Sequence, residues 1–251
     1  MTRVIMHGCN GRMGRTITAM IDEMDDVEIV AGVDAFDDGH NQYPVFSNIA
    51  DCRVDADVII DFSNVVALDG LLDECVDRGI PLVLCTTGLS DDQISKLRVC
   101  STKVAILMSA NMSLGINLLM KLLKEATAVL DPAGFDIEIV EKHHNRKLDA
   151  PSGTAYALAN AINDALPEKY QYVYDRTGRR MKRPKEEIGI SAIRGGSIVG
   201  DHDVIFAGQD EVITFSHRAY SRAVFARGAI SAAQFLVGKA PGLYNMSDVI
   251  G

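Results

Sequence analysis

The sequence predicts an α/β protein with two parts: an N-terminal doubly wound parallel sheet, then a smaller domain built on a mixed sheet. Three observations carry this. Short apolar runs alternate with helical periodicity through the first 111 residues. A two-residue alternation replaces the apolar runs in the second half. The 251 residues are 47% hydrophobic and 24% charged, enough chain and enough apolar surface for two cores.

Val4-Ile5-Met6, Val27 to Val33, Ala56 to Ile60, Ile80 to Cys85 and Val104 to Met108 have strand length and little polar alternation, as strands buried on both faces do. Between them, Ile17, Met20, Ile21 and Met24 fall on one helical face, and Leu68, Leu71, Leu72 and Cys75 on another. Ser90-x-x-Gln93 is a capping box that opens a third helix. Strand, helix and strand at this spacing require right-handed crossovers, so residues 1–111 form one doubly wound domain. Residues 112–221 form the second. A helix from Ser113 to Leu130 sets Leu114, Leu118, Leu122 and Ala126 along one face and stops at Asp131-Pro132 and Gly134. Phe135, Ile137 and Ile139 then alternate with Asp136, Glu138 and Val140 in a half-buried strand. A helix from about Ser152 to Leu166 follows, and then strands Gly189 to Arg194, Ser197 to Phe206 and Glu211 to Ser216. Residues 223–237 make a last helix, and the segment 222–251 is expected to pack back on the first domain.

Composition excludes several classes. With 34 acidic and 25 basic residues the net charge is −9, which disfavours nucleic acid and anionic membranes as partners. The apolar runs fall far short of the roughly 20 residues of a membrane span. Met1-Thr2-Arg3 leads straight into the first strand without the apolar region of a signal peptide, so the cytoplasm is the expected location. Cys9, Cys52, Cys75, Cys85 and Cys100 are odd in number and contain no Cys-x-x-Cys pair, which argues against a disulfide framework and structural zinc.

The first chemical signal is Gly8-Cys9-Asn10-Gly11-Arg12-Met13-Gly14, between the first strand and its helix. Glycines here let a pyrophosphate approach backbone N–H groups at a helix start, which makes the domain Rossmann-like. Asn10 stands where the usual G-x-G-x-x-G has its second glycine, and alone the loop also reads as a tight turn. The second strand ends at Asp34, twenty residues past Gly14, where an acid accepts hydrogen bonds from an adenosine ribose. No arginine follows Asp34 before Arg53, so the lean is to NADH over NADPH, although Arg12 or Arg15 could serve a phosphate. Cys85-Thr86-Thr87-Gly88 and Ser109-Ala110-Asn111-Met112 end later strands, on the side where open parallel sheets bind ligands.

The densest constellation runs from Glu138 to Ala155. A strand carrying acids enters a loop with His143, His144 and Lys147, and that loop ends at Pro151-Ser152-Gly153-Thr154, a helix start that forms an anion site. An imidazole and an ammonium beside it suit a carboxylate-bearing substrate that needs a proton. Each histidine alone reads as a partly buried polar residue.

That run closely resembles the signature of the 4-hydroxy-tetrahydrodipicolinate reductase family, formerly dihydrodipicolinate reductase. Gly8 to Gly14 is similar to the family's glycine loop, which accounts for the missing middle glycine. Asp61-Phe62-Ser63, Thr86-Thr87-Gly88, the stretch Ala110 to Asn117, Gly200-Asp201-His202 and the segment from Ser216 to Ala229 also resemble family blocks, so the similarity spans nearly the whole chain. The resemblance implies NAD(P)H-dependent reduction of a cyclic dicarboxylate, with loss of water, in the diaminopimelate route to lysine. It implies that His143 protonates the reduced ring and that Lys147 is a second proton donor. It implies that His144, Lys147, Ser152, Gly153, Thr154 and Arg222 hold the two carboxylates. Gly8, Cys9, Asn10, Gly11, Arg12, Met13, Asp34, Cys85, Thr86, Thr87, Ser109, Ala110, Asn111 and Met112 would hold the cofactor. Cys85, where the family often has glycine, and Met112, where phenylalanine is common, depart from the pattern on the nicotinamide side. A homotetramer joined through the second-domain sheet is implied, and a domain closure that joins the two sites is expected.

Two other readings share the glycine loop: another two-domain NAD(P) enzyme, and a nucleotide-sensing regulator. The first does not require His143, Lys147 and the Ser152-Gly153-Thr154 site together, and the second predicts a basic DNA-binding helix pair that the sequence lacks. The six basic residues between Arg176 and Lys185 are expected in a solvated, mobile loop that draws in anions. His202 and His217 are expected to be structural.

Overall fold

The two sequence periods build two separate sheets. A computed structural model describes residues 1–37 and 39–251. In chain order the elements are β1 (Thr2–His7), α1 (Arg12–Ile21), β2 (Val27–Val33), β3 (Val45–Phe46), β4 (Val58–Asp61), α2 (Leu68–Arg78), β5 (Leu82–Leu84), α3 (Asp91–Ser101), β6 (Ala105–Met108) and α4 (Leu114–Leu130). They continue with β7 (Asp136–His143), α5 (Gly153–Ala165), β8 (Gln171–Val173), β9 (Glu187–Arg194), β10 (Gly200–Ala207), β11 (Val212–Ala219), α6 (Ala223–Leu236), β12 (Gly242–Tyr244) and α7 (Met246–Ile250). The chain divides into two compact units, one of Met1–Ser113 with Ala223–Gly251, the other of Leu114–Arg222.

The first unit holds a seven-stranded sheet in the order β12-β6-β5-β4-β1-β2-β3, parallel throughout. The order reverses between β1 and β4, and the crevice beyond their carboxyl ends is where such sheets take ligands. Ile5, Ile59, Leu82 and Ile106 meet Leu68, Leu71, Leu72 and Cys75 of α2 in one continuous core. Burying each of these large side chains contributes about 1.5–3 kcal/mol. Helix α6 packs on α1 and across β4, β5 and β6, and its buried residues include Ala226, Ala229, Ala232 and Ala233, whose small side chains let it lie close. The Ser90–Gln93 capping box opens α3.

The second unit holds a mixed sheet in the order β11-β10-β7-β9-β8. Strand β10 runs antiparallel to both its neighbours, β11 and β7, whereas β9 runs parallel to both β7 and β8. Helices α4 and α5 cover one face, where Leu119, Leu123, Leu158 and Ile162 pack on Ile137, Ile139, Val204 and Phe206.

Helix α4 turns a different face inward from the one its leucine repeat suggests. Ile116, Leu119, Leu123 and Thr127 are buried, while Leu118 and Leu122 remain 48% and 41% exposed. The helix is apolar over much of its circumference, so packing against α5 and the sheet decides the face. The basic segment also differs from expectation, because four of its six charges, Arg176, Arg179, Arg183 and Lys185, are paired. Arg176 donates two hydrogen bonds to Glu138 and Arg179 one to Glu187, while Arg183 reaches both Glu138 and Asp136, and Lys185 reaches Asp131. Asp136 and Glu138 occupy the outward positions of β7, so the basic residues strap that face. Strands β3, β8 and β12, absent from the sequence reading, are two or three residues long, too short for a periodic signal.

Candidate active site

In the first unit, β1 turns into α1 through a loop that only glycine permits at two positions. Gly8 has φ +83°, and a Cβ there would stand 2.6 Å from the Phe62 carbonyl oxygen. A Cβ on Gly14 would collide with the carbonyl oxygens of Gly8 and Cys9, so a side chain would push α1 off the loop. No side chain caps α1 at Gly11. Asn10, in the place of the usual middle glycine, ties the loop to the segment after β2. Its N–H donates to Asp34 Oδ2 (2.9 Å), its Nδ2 to the Phe36 carbonyl (2.5 Å), and its Oδ1 accepts from Asn41 (2.8 Å).

A cavity of about 330 Å³ opens beside this loop, with Gly8, Gly11, Asp34 and Ala35 on one side and Phe62, Ser63 and Asn64 on the other. His7 forms part of its lining. The loops after β5 and β6 carry the remaining expected cofactor residues. Thr86 is buried there, its Oγ1 without a hydrogen-bond partner among the described residues. Asn111 Oδ1 accepts from the Ser113 N–H at 2.8 Å, and Met112 is buried. Burial, reinforced by the charge of Asp61, pushes the Cys85 thiol well above its usual range, so it stays protonated. Arg12 is exposed at the start of α1, next to Met13. An anion-accepting helix start, an acid at the end of β2 and an unpartnered hydroxyl at the end of β5 together fit a pyridine dinucleotide.

In the second unit, the inward period of β7 runs Ile137, Ile139, Glu141, His143, so an apolar stripe becomes chemical at its carboxyl end. Glu141 is fully buried and accepts four hydrogen bonds: His143 Nδ1 (2.6 Å), two from Arg194 (2.8 and 2.7 Å) and the Ser152 N–H (2.9 Å). Burial pushes its carboxyl up, but Arg194, His143 and the Ser152 N–H outweigh this and hold it below the usual range. Because a carboxylate only accepts, the bond fixes the proton of a neutral His143 on Nδ1 and turns Nε2 outward. A Cβ on Gly200 would stand 3.0 Å from that Nε2.

His202 crosses the His143 ring edge-on at 5.2 Å and shares a 3.0 Å hydrogen bond with Ser152 Oγ. Burial, and then the neighbouring His143, pushes its imidazole down to about 4. Ser152 caps α5 by accepting the Ala155 N–H, and its own N–H is spent on Glu141. Gly153 and Thr154 begin the helix. Lys147 lies 2.8 Å from Asp149. His144 is held below its usual range by desolvation and then by Arg146, His143, Arg222 and Lys147, an arrangement of cations around one imidazole.

The structure therefore places His143, His144, Lys147, Ser152, Gly153, Thr154 and Arg222 in the second unit, with the expected cofactor residues in the first. Sequence reasoning missed Glu141, Arg194 and the contact of His202 with His143. Glu141 was legible, since the alternation from Ile137 and Ile139 puts it on the buried face. Arg194 lies 53 residues from Glu141 and meets it only through the pairing of β7 with β9.

The comparisons agree across the chain. Family models for the N-terminus and C-terminus of dihydrodipicolinate reductase match residues 2–112 and 115–250. The 4-hydroxy-tetrahydrodipicolinate reductase of Caldanaerobacter subterraneus is 53% identical over 250 residues, covering 100% of this chain and 98% of that one. That of Clostridium novyi is 51% identical, with 100% and 98% covered. A dipicolinate-bound dihydrodipicolinate reductase from Paenisporosarcina superposes with a TM-score of 0.83 at 26% identity, covering 100% of both chains. With two family models spanning both units and full-length relatives above 50% identity, the chain belongs to the dihydrodipicolinate reductase family.

Proposed function

We propose that the chain reduces 4-hydroxy-tetrahydrodipicolinate to tetrahydrodipicolinate, with loss of water, using NADH in preference to NADPH. Family membership makes it an oxidoreductase of the diaminopimelate and lysine route, dependent on a pyridine nucleotide. The observation that carries the mechanism is His143, fixed on buried Glu141 at the mouth of a cationic cluster.

The nicotinamide supplies a hydride when bound. Hydride addition leaves electron density on the substrate ring, and His143 delivers the compensating proton from Nε2. Glu141 stabilises the imidazolium that must exist beforehand. Lys147 is the second proton donor. His144, Lys147, Arg222 and the start of α5 at Ser152, Gly153 and Thr154 hold the two carboxylates, which need cationic or N–H partners. Ser152 contributes by capping the helix and bracing Glu141, since its N–H is already engaged there. On the cofactor side, Gly8 to Met13 hold the pyrophosphate, Asp34 the adenosine ribose, and Cys85 to Thr87 with Ser109 to Met112 the nicotinamide end. The Asp34 carboxylate would repel a 2′-phosphate, which supports NADH.

The same reading includes a homotetramer joined through the second sheet. The face away from α4 and α5 leaves Val212 of β11 and Ile193 of β9 62% and 46% exposed. Light scattering that gives a monomer at working concentration would remove it. The reaction is tested by NADH and NADPH oxidation with substrate generated in place by dihydrodipicolinate synthase. Turnover that collapses in His143→Ala and Lys147→Ala, with nucleotide binding retained, is expected. Tight NADH binding without turnover would refute it.

A further inference from the structure

The cofactor cavity contains a side chain that no motif accounts for. His7 ends β1 immediately before the glycine loop, and its side chain is only 6% exposed. Its Nδ1 lies 2.7 Å from Asp61 Oδ1, across the parallel pairing that sets the two residues side by side. Ser63 braces the same oxygen through its hydroxyl (2.6 Å) and its N–H (3.2 Å). A carboxylate oxygen can only accept, so Asp61 fixes the Nδ1–H form of the neutral ring and Nε2 carries a lone pair. Nε2 has no hydrogen-bond partner among the described residues, yet it is not sealed off as Asp61 Oδ2 is. It opens where His7 lines both the cavity of about 330 Å³ and an adjoining hollow of about 270 Å³.

We propose that His7, held by Asp61, reads the adenine of the cofactor by accepting a hydrogen bond at Nε2 from the exocyclic amino group. This deepens the nucleotide reading above and rests on it. With the ribose at Asp34, the base must enter the remainder of the cavity, between Ala35, Phe62 and Ala67, whose apolar surfaces suit a flat ring. An unpaired acceptor inside such a cavity selects a donor, because leaving it unmatched is what costs binding. The exocyclic amino group is the only hydrogen-bond donor on adenine. The glycine loop and Asp34 recognise parts common to every dinucleotide, so His7 is the group that distinguishes the base.

Dissociation constants for NADH and for its hypoxanthine analogue, in which an oxo group replaces the amino group, test this by titration at pH 8 without substrate. The wild-type chain should bind the analogue about tenfold more weakly, the worth of one buried hydrogen bond. In His7→Asn, whose Nδ2 can still donate to Asp61 but whose shorter side chain puts no acceptor at the position of Nε2, the two should bind within about twofold. The double variant His7→Leu with Asp61→Leu removes the buried carboxylate with its partner and should show the same loss of discrimination even if His7→Asn fails to fold. Equal binding of both nucleotides by the wild type, or discrimination that survives in the variants, overturns the assignment while leaving the nucleotide site standing. A chain that binds neither nucleotide overturns both.

Discussion

Replacing Glu141 by glutamine tests the acid–histidine pair most directly. The carboxylate is fully buried and surrounded only by donors: two guanidinium N–H groups, His143 Nδ1 and the Ser152 N–H. An amide can accept at one oxygen only, and its NH₂ must face one or more of those donors. Arg194, with its side chain 19% exposed, then keeps a buried charge without its counter-ion. Breaking one side of such a pair costs about 3–5 kcal/mol, so the variant should melt well below the parent. Catalysis should suffer separately. The charge-assisted bond to His143 is worth about 1.5–3 kcal/mol and favours the imidazolium that donates the proton, so kcat should fall roughly 10- to 150-fold. The descending limb of the kcat–pH profile, where the acid has lost its proton, should move to lower pH. NADH affinity should hold, because the cofactor residues belong to the other unit. Arg194→Lys separates the effects, since it keeps a cation beside Glu141 but loses the two-pronged grip. A folded Glu141→Gln chain with parental kcat and an unmoved limb would show that Glu141 only fills space.

Asp34→Asn keeps an acceptor for the Asn10 N–H while removing the charge, and the KM ratio of NADPH to NADH should fall about tenfold. Asp149 occupies Lys147 at 2.8 Å and is further stabilised by the Gly153 N–H, groups proposed to hold a substrate carboxylate. Asp149→Asn should therefore lower the substrate KM, by only about threefold because the Asp149 side chain is 59% exposed. Lys147→Met should instead raise KM and lower kcat together. His202 has a folded-state pKa of about 4, below the ordinary value of 6.5, so stability is fully present above 6.5 and lost as pH falls toward 4. The loss reaches about 3 kcal/mol at most. Urea unfolding at pH 7 and pH 4.5 should show a shallower drop for His202→Gln.

What the sequence revealed follows from which interactions are local. The five central strands of the first sheet were visible because burial on both faces leaves mostly apolar runs, and helices α1 to α3 because one-face spacing or a capping box is local. The glycine loop, Asp34 and the α5 start were visible because each is a short-range feature. The inward face of α4 was not, since leucines occupy several sides and the contact with α5 chooses among them. The pairing of the basic segment is not legible locally for a related reason. Its carboxylate partners Asp136 and Glu138 lie some 40 residues earlier, and only strand pairing brings β7 under it. Arg194 and His202 escaped notice in the same way.

Both sites use one device. At the carboxyl end of a strand a buried histidine is pinned through Nδ1 by a carboxylate. In β7 the acid precedes the histidine by two residues on the same strand, while in the first sheet it comes from β4 beside β1. The donor sets differ in a way that separates their chemistry. Glu141 accepts four hydrogen bonds from three groups, one of them a permanent cation gripping it twice, so it remains a carboxylate whatever His143 does. It can therefore support a ring whose protonation changes during turnover. Asp61 accepts from neutral donors, His7 Nδ1 and the N–H and hydroxyl of Ser63, and its Oδ2 has no partner among the described residues. On the reading proposed above, the first pair moves a proton and the second keeps a lone pair facing the cavity.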